Sequence, residues 1–354
     1  MLVLRGFHHP AIAPACALTI GNFDGVHRGH QAMLALLNAE ATQRGVPSCV
    51  LTFEPHPRDY FAAALHKPEL APARVGTLRD KLSELARFGV QQTVVLRFDA
   101  ALAGQTPETF INDVLVRGLG ARYALVGDDF RFGRQRAGDY RLLAQAGQQR
   151  GFDVARMNSY EITYPQASTN AAEPVRVSSS EVRAALAAGR MDDAAQLLGR
   201  PYAISGHVVH GRKLGRALGE ASSGAGDGFR TLNLRFAHWK PAASGIFAVW
   251  VHGLAAEALP GVANLGIRPS LDPSDVNGGR VLLETHCLEW PQHLGAEGAY
   301  GKIIRVELMH KLHDELRYDS LGALTAGIAR DCADARAWFA AHAETRRQTT
   351  RDRI

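Results

Sequence analysis

Three observations predict an α/β plus β architecture, in which a parallel α/β domain precedes a small antiparallel six-stranded β-barrel with a C-terminal helix. Apolar runs alternate with helix-period segments as far as residue 199; beyond it, short strands recur between glycine and proline turns; and residues 320–340 return to helical spacing. Strands alternating with helices imply a parallel sheet covered on its faces. Short, evenly spaced strands imply a barrel. The domains are expected at 1–199 and 200–341, with a basic, disordered tail at 342–354.

The first half is organised around Gly21-Asn22-Phe23-Asp24-Gly25-Val26-His27-Arg28-Gly29-His30. Residues 17–20 read as a buried strand, Gly21 to Gly25 as a tight turn, and residues 31–42 as a helix. A turn of this kind gathers free N–H groups and a positive helix end, where an anion can sit. His27 and His30 share one face and can donate to one phosphate, and Gly29 has no side chain to block close approach. Two alternatives stand beside this reading: ordinary surface histidines, or metal ligands. A zinc site needs a third ligand and usually i,i+4 spacing, and nothing nearby supplies them.

Further strands are expected at 48–52, 93–96, 123–126 and around Val154. Between them, Thr77 precedes Leu78, Leu82, Leu85 and Phe88, and Thr106-Pro107 precedes Phe110, Val114 and Leu115. Both threonines suit helix N-caps, and Pro107 suits a first helical turn. Ligands of such a sheet bind beyond the carboxyl ends of its strands, so the loops there belong together. After the second strand, Thr52-Phe53-Glu54-Pro55-His56-Pro57 is a stiff loop able to line an aromatic ligand, or an ordinary proline turn. After the fourth, Gly127-Asp128-Asp129-Phe130-Arg131-Phe132-Gly133-Arg134 pairs carboxylates with arginines and aromatics, or is a solvated turn. Val177-Ser178-Ser179-Ser180-Glu181-Val182-Arg183 contains a capping box, Ser178 with Glu181, ahead of a helix at 182–188. Capping and phosphate binding use the same unsatisfied N–H groups; three hydroxyls and an arginine exceed what a cap requires.

The chain has 354 residues, 46% of them hydrophobic, and a net charge of +5 that lies partly in the tail at Arg346, Arg347, Arg351 and Arg353. That balance suits anionic small molecules and argues poorly for nucleic acid. No membrane span or signal peptide is evident, and Cys16, Cys49, Cys287 and Cys332 lack paired spacing, so a cytoplasmic protein with reduced thiols is expected. Oligomeric state is left open.

The pair His27-x-Gly29-His30 and Ser178-Ser179-Ser180-x-x-Arg183 resembles the signature of adenylyl-transferring enzymes. GNFDGVHRGHQ, TFEPHP, GDDFRFG and VSSSEVR, in that order, resemble the N-terminal module of bacterial bifunctional riboflavin kinase/FMN adenylyltransferase, also called FAD synthetase. Ser180 stands where that family has threonine, which keeps the hydroxyl. The resemblance implies a Rossmann-like nucleotidyltransferase domain in which the phosphate of FMN attacks the α-phosphorus of ATP and pyrophosphate leaves. It implies that His27 and His30 donate to the ATP phosphates, that Ser178, Ser179, Ser180 and Arg183 hold pyrophosphate, and that Mg2+ offsets charge. Gly21, Asn22, Phe23, Asp24 and Gly29 would line the nucleotide, with Asp24 equally suited to fixing the turn. Phe53, Pro55, His56, Asp129 and Phe130 would place the flavin nucleotide.

In the second half, strands are expected at 203–210, 231–236, 245–252, 262–265, 280–288 and 302–309, with a closing helix at 320–340 carrying Leu321, Leu324, Ile328 and Trp338. Glu284 shares a strand face with Leu282 and Leu288, where a buried carboxylate needs a basic partner or serves as a general base. GHVVHGRKLGRALG, TLN, GIFAVWV, GVANLGIRPS, LLETHCLEW and AYGKIIRVELMHKL resemble the riboflavin kinase module of the same family. That implies Glu284 takes the proton of the ribityl hydroxyl, Thr231 and Asn233 bind Mg2+ and nucleotide phosphate, and the segment with Gly211, Gly215 and Arg216 covers the phosphates, with Arg268 in the nucleotide and flavin site. One departure is large: residues 220–228 are inserted before Phe229-Arg230-Thr231-Leu232-Asn233, and Arg230 replaces a proline, so a weakened kinase is expected.

The leading reading is thus an enzyme that converts riboflavin to FMN and FMN to FAD with ATP. Beside it stand an adenylyltransferase whose barrel only binds flavin, a nucleic-acid-binding protein suggested by the basic tail, and a transferase for another phosphorylated cofactor precursor. The third lacks the aromatic-and-basic surface such barrels use. The fourth leaves the flavin-kinase-like second module without a purpose.

Overall fold

The computed structural model describes residues 1–165, 172–210, 230–236, 238, 240–267, 281–295 and 297–342. Two compact units are present. One takes Met1–Pro72, Lys81–Pro165 and the described part of Ala171–Ser179; the other takes Ala73–Asp80 and the described part of Ser180–Ile354.

The first unit is built on six parallel strands: β1 (Leu2–Arg5), β2 (Cys16–Ile20), β3 (Ser48–Glu54), β4 (Gln92–Arg97), β5 (Ala121–Gly127) and β6 (Asp153–Met157). Their order is β1-β4-β3-β2-β5-β6. The chain steps from β2 through β3 to β4 on one side, then returns to place β5 on the other side of β2. The strand order therefore reverses at β2, and the crevice beyond its carboxyl end is where a ligand of an open α/β sheet binds. The five strands expected from the apolar runs are all present. The sixth, β1, pairs with β4 as an edge strand that buries only Leu4, too little pattern to be read.

Alternate residues feed two cores, as the period of a strand requires. Leu18, Cys49, Leu51, Val94, Ala124 and Val126 pack on one face. Ala17, Val50, Tyr123 and Leu125 pack on the other, against Leu34 and Leu37 of α1 (Arg28–Arg44) and Leu85. Burial on both faces explains why these strands read as unbroken apolar runs. The segment after β3 corrects one expectation: instead of a stiff loop alone, α2 (Pro57–Ala64) follows at once. Pro57 sits in its first turn, where the missing N–H costs nothing, and His56 is the N-cap. A two-stranded hairpin, β7 (Glu161–Pro165) and β8 (Ala172–Arg176), was also not expected.

In the second unit, β9 (Tyr202–Val209), β10 (Thr231–Arg235), β11 (Gly245–His252), β12 (Leu259–Ile267), β13 (Val281–Cys287) and β14 (Ile303–His313) close a barrel in the order β10-β13-β12-β11-β14-β9. Every neighbouring pair is antiparallel. The closing helix, Leu321–Ala341, starts at Ser320, whose hydroxyl accepts from the Ala323 N–H at 3.1 Å. Its Cys332 and Ala335 bury against Ile246, Ala248 and Val262, flanked by Ile328, Trp338 and Phe339. All four cysteines are free and buried, and no helix among the described residues is long and apolar enough to cross a membrane.

Candidate active sites

Beyond β2 the backbone leaves regular geometry for a purpose. Phe23, Gly25 and Val26 all have positive φ, at 50°, 86° and 41°. For a β-branched residue such as Val26 that conformation is costly and persists only where surrounding packing enforces it. Phe23 and Val26 are both buried, which supplies that packing. The contorted turn delivers His27 to the N-cap of α1, three residues earlier than the start expected from the apolar pattern. The His27 Nδ1 accepts from the His30 N–H at 3.3 Å. A neutral ring that accepts through Nδ1 carries its proton on Nε2, and so can donate outward.

The His27 and His30 rings stack, with centroids 3.7 Å apart and 17° between planes, and Phe23 lies 4.7 Å from His30 on a tilt. Burial first, then the neighbouring His27, against which a second imidazolium would be repelled, and the Lys81 charge hold the His30 pKa well below its ordinary value, so this ring is neutral at physiological pH. Its Nδ1 is buried with no hydrogen-bond partner among the described residues, as is Asn22 Oδ1. Orphaned polar atoms of this sort are rare unless a ligand completes them.

The serine element meets this turn. Ser179 Oγ donates to the Asp24 carbonyl at 2.9 Å, across 155 residues of sequence. A methyl group at Gly29 would lie 3.3 Å from the Val177 carbonyl oxygen and as close to the His27 ring. An alanine there would make the Val177 carbonyl or the His27 ring give by a few tenths of an ångström, so the approach of the second element favours glycine. The helix Ser179–Ala187 starts at this junction, with Ser178 immediately before it and Ser180 and Arg183 further along. Arg183 Nε donates to the Ala73 carbonyl at 2.6 Å. Asp24 is buried, and its backbone carbonyl accepts the Ser179 hydrogen bond.

Around this rim the structure places the other expected residues unevenly. Phe53 packs into the core and edge-on to Phe98, at 5.8 Å. His56 is buried, its Nδ1 accepting from the Arg58 N–H at 3.1 Å as the α2 cap, while Pro55 is exposed. The aromatic surface beside it is instead Tyr60, Phe61 and Phe98, in edge contacts of 5.3–5.7 Å. Phe61 is 47% exposed, a large apolar ring left facing solvent. Asp129 is exposed, 3.7 Å from Arg176, which also reaches Asp128 at 3.3 Å. A hydrogen bond from Ser159, then Arg176, holds the Asp128 pKa below the usual carboxylate range. Phe130 stacks on Phe132 at 5.3 Å. Sequence reading missed Phe61, Arg176 and Lys81. Lys81 lies three residues after Leu78 and four before Leu85, on the buried face of α3 (Leu78–Arg87), where a cation is out of place.

On the barrel, the expected residues form one strip. Asn233 on β10 stands opposite Glu284 on β13, and Glu284 opposite Asn264 on β12. Thr231 stands opposite His286. This is the face away from Leu283 and Thr285. Glu284 is half-buried here, which corrects the expectation of a carboxylate sunk in an apolar face; its cross-strand neighbours single it out. The buried oxygens Asn233 Oδ1 and Asn264 Oδ1 have no partner among the described residues, although Asn264 Nδ2 donates to Glu315 at 2.9 Å. His286 Nδ1 lies 3.0 Å from the Arg230 carbonyl, and burial lowers the His286 pKa. Arg230 itself lies over the Trp290 ring at 5.3 Å. Gly211, Gly215, Arg216, Arg268, the insertion at 220–228 and the tail from 343 lie outside the described residues.

No group of three or more histidine, cysteine or acidic side chains able to hold a metal occurs among the described residues, which leaves the zinc reading of His27 and His30 without its third ligand. A magnesium ion asks for less, since it takes one or two protein oxygens and completes its shell with phosphate and water. The unsatisfied oxygen of Asn233 beside Thr231 fits that requirement.

A glycine-bracketed histidine turn at the reversal of a parallel sheet, joined to a barrel with an asparagine-glutamate strip, defines a two-module nucleotide-using transferase. Residues 9–171 match the FAD synthetase family and residues 198–339 the riboflavin kinase family. Over 341 residues the chain is 42% identical to the bifunctional riboflavin kinase/FMN adenylyltransferase of Escherichia coli (strain K12), covering 96% of this chain and 98% of that one. The Pseudomonas fluorescens and Haemophilus influenzae proteins of the same description are 39% and 37% identical, with 95% and 96% of this chain covered and 97% and 99% of theirs. The chain belongs to the bifunctional riboflavin kinase/FMN adenylyltransferase family. A solved Streptococcus pneumoniae structure described as a macrolide-efflux protein superposes with a TM-score of 0.68 at 22% identity, over 96% of this chain and all of that one, a likeness of fold. The alternative of a barrel that only binds flavin finds no support, because the kinase match spans the whole barrel and its helix.

Proposed function

We infer that this chain phosphorylates riboflavin to FMN on the barrel and adenylylates FMN to FAD at the rim of the parallel sheet, using ATP in both steps. The observation that carries the second half is the hydrogen bond from Ser179 to Asp24, which joins the two halves of a nucleotide cradle from opposite ends of the module.

In adenylyl transfer an oxygen of the FMN phosphate bonds to the α-phosphorus of ATP while the bond to the bridging oxygen breaks and pyrophosphate departs. No side-chain nucleophile is needed, so the protein aligns two anions and neutralises growing charge. His27, through Nε2–H, and neutral His30 donate to phosphate oxygens; Asn22 and the backbone of the Gly21–Gly25 turn line the nucleotide. Ser178 and Ser179, with Ser180 and Arg183 on the same helix, take the leaving pyrophosphate. Phe53, Pro55, Asp129 and Phe130, with exposed Phe61, form the flavin side; His56 serves by capping α2.

In phosphorylation the ribityl hydroxyl gives its proton to Glu284 as its oxygen bonds to the γ-phosphorus, and ADP leaves. Thr231 and Asn233 would hold Mg2+ and phosphate; the roles of Gly211, Gly215 and Arg216 toward the phosphates and of Arg268 toward the nucleotide are carried from the family resemblance, since these residues lie outside the described ones. The ion supplies neutralisation of the phosphate oxygens when bound. The module boundary is set at 199/200, in keeping with a kinase match that begins at residue 198. Riboflavin, FMN and ATP are the partners, with no part for nucleic acid or membrane, and the work is done in the cytoplasm.

Product analysis tests this directly. Riboflavin with MgATP should give FMN and then FAD, and FMN with MgATP should give FAD and pyrophosphate; failure to form FAD from FMN would overturn the reading.

A further inference from the structure

At the rim of the sheet one buried cation has entered so far only as a charge near His30. Lys81 lies on α3 and is 4% exposed. A buried ammonium group is held by polar partners, and one of those of Lys81 leads to the ligand rim. Its Nζ donates to Thr52 Oγ1 at 3.4 Å, and Thr52 Oγ1 donates in turn to the Asn22 carbonyl at 3.4 Å. Thr52 is fully buried near the carboxyl end of β3, and Asn22 is the second residue of the contorted turn. A chain of two polar contacts thus runs from helix to strand to turn. Both contacts are longer than the ~2.9 Å of a settled hydrogen bond. Such spacing is common at sites that tighten when substrate arrives.

We propose that Lys81 is a positioning residue for adenylyl transfer, holding the Gly21–Gly25 turn through Thr52 and Asn22 in the form that receives the triphosphate. The inference rests on reading the rim as the adenylyl-transfer site. Lys81 has a second, electrostatic effect in the same direction. After burial, the groups that oppose protonation of His30 are His27 and Lys81, so removing the Lys81 charge removes one of the causes that keep the ring neutral. A neutral His30 remains a directional donor within the stack on His27, whereas two imidazolium rings at that distance would repel.

The test uses the full chain carrying Lys81→Met or Lys81→Arg. FAD formation from FMN and MgATP is followed beside FMN formation from riboflavin, and His30 is titrated by NMR in each protein. In Lys81→Met, kcat for FAD formation should fall about a hundredfold, as for loss of one preorganised charge, with KM for ATP changed less than about threefold. FMN formation should be unchanged, Lys81→Arg should recover most of the loss, and the His30 midpoint should move up in Lys81→Met alone. An FAD-forming kcat within about twofold of wild type, an equal loss of FMN formation, or an unmoved His30 midpoint would overturn the proposal. Should Lys81→Met fail to fold, activity retained by Lys81→Arg and lost by Lys81→Gln supports it, and equal activity of those two overturns it. A His30→Ala protein that still makes FAD would instead sink the reading of the rim, whereas an inactive His30→Ala beside a fully active Lys81→Met sinks this inference alone.

Discussion

The two proposed sites use the same cosubstrate but are made of different material. At the rim of the parallel sheet the work falls to irregular backbone: three residues in the left-handed region, a histidine cap, and a serine hydroxyl bonded to the Asp24 carbonyl. On the barrel the backbone is regular, and three adjacent strands each contribute one side chain, Asn233, Glu284 and Asn264, in register. The difference teaches where each site is vulnerable. A site made of backbone fails when a neighbouring side chain grows, because nothing around it can yield. A site made of cross-strand side chains fails only when one of them is removed.

The sharpest test of that contrast is to remove the chemistry from each region separately. Glu284→Gln should lower riboflavin phosphorylation by about a thousandfold, within the range for loss of a general base, and leave FAD formation from FMN intact. His30→Ala should do the reverse, by a similar factor. Both are read from initial rates with each flavin supplied alone. Loss of both activities in either protein, with the fold preserved by circular dichroism, would erase the distinction between the sites.

Gly29→Ala probes the backbone site by addition. Its methyl group would press on the Val177 carbonyl and the His27 ring, both 3.3 Å from the ideal Cβ position. Admitting it asks the junction to give by a few tenths of an ångström, so FAD formation should fall about thirtyfold, below the hundredfold of a ~1 Å misplacement in an aligned site. Unchanged FAD formation would show that the junction tolerates separation. The matching deletion on the barrel, Asn264→Ala, should cost less, about tenfold in FMN formation, since Asn233 and Glu284 stay in register. Full activity there would exclude Asn264 from the strip.

The same difference explains what could be read from the sequence. Gly21 to His30 is contiguous, so glycines and histidines at fixed spacing announced a strand-turn-helix junction, and the four buried parallel strands β2 to β5 were evident as apolar runs. The contact between that turn and Ser179 was legible only as a pairing of motifs, because no local pattern encodes a bond across 155 residues. Asn264 and His286 escaped notice because their importance lies in register, which single-strand patterns do not contain. Lys81 was hidden for the opposite reason: its helix reads as ordinary amphipathic sequence unless the charge is counted on the buried face. His56 looked like a ligand-facing loop residue and proved to be a cap, since Pro57 begins a helix where two prolines had suggested only stiffness.

The smallest expected effect concerns what holds the barrel's closing helix in place. His313, at the end of β14, lies 2.9 Å from Asp331 on that helix and 2.7 Å from the Asp314 carbonyl. Burial opposes its charge, but the hydrogen bonds to Asp314 and Asp331 outweigh burial and leave the pKa above its ordinary value. A histidine whose folded pKa is raised stabilises fully below its unfolded value of ~6.5, and the contribution fades as pH rises through the folded value. The melting temperature of wild type relative to His313→Leu should therefore be highest near pH 5.5–6, by a small amount, and should converge with it in mildly alkaline solution, because the ring is part-exposed and the ion pair modest. FAD formation should follow neither change, since His313 and Asp331 belong to the barrel and its closing helix. A difference in melting temperature that grew with pH would mean that His313 is held neutral, and that packing rather than charge secures the helix.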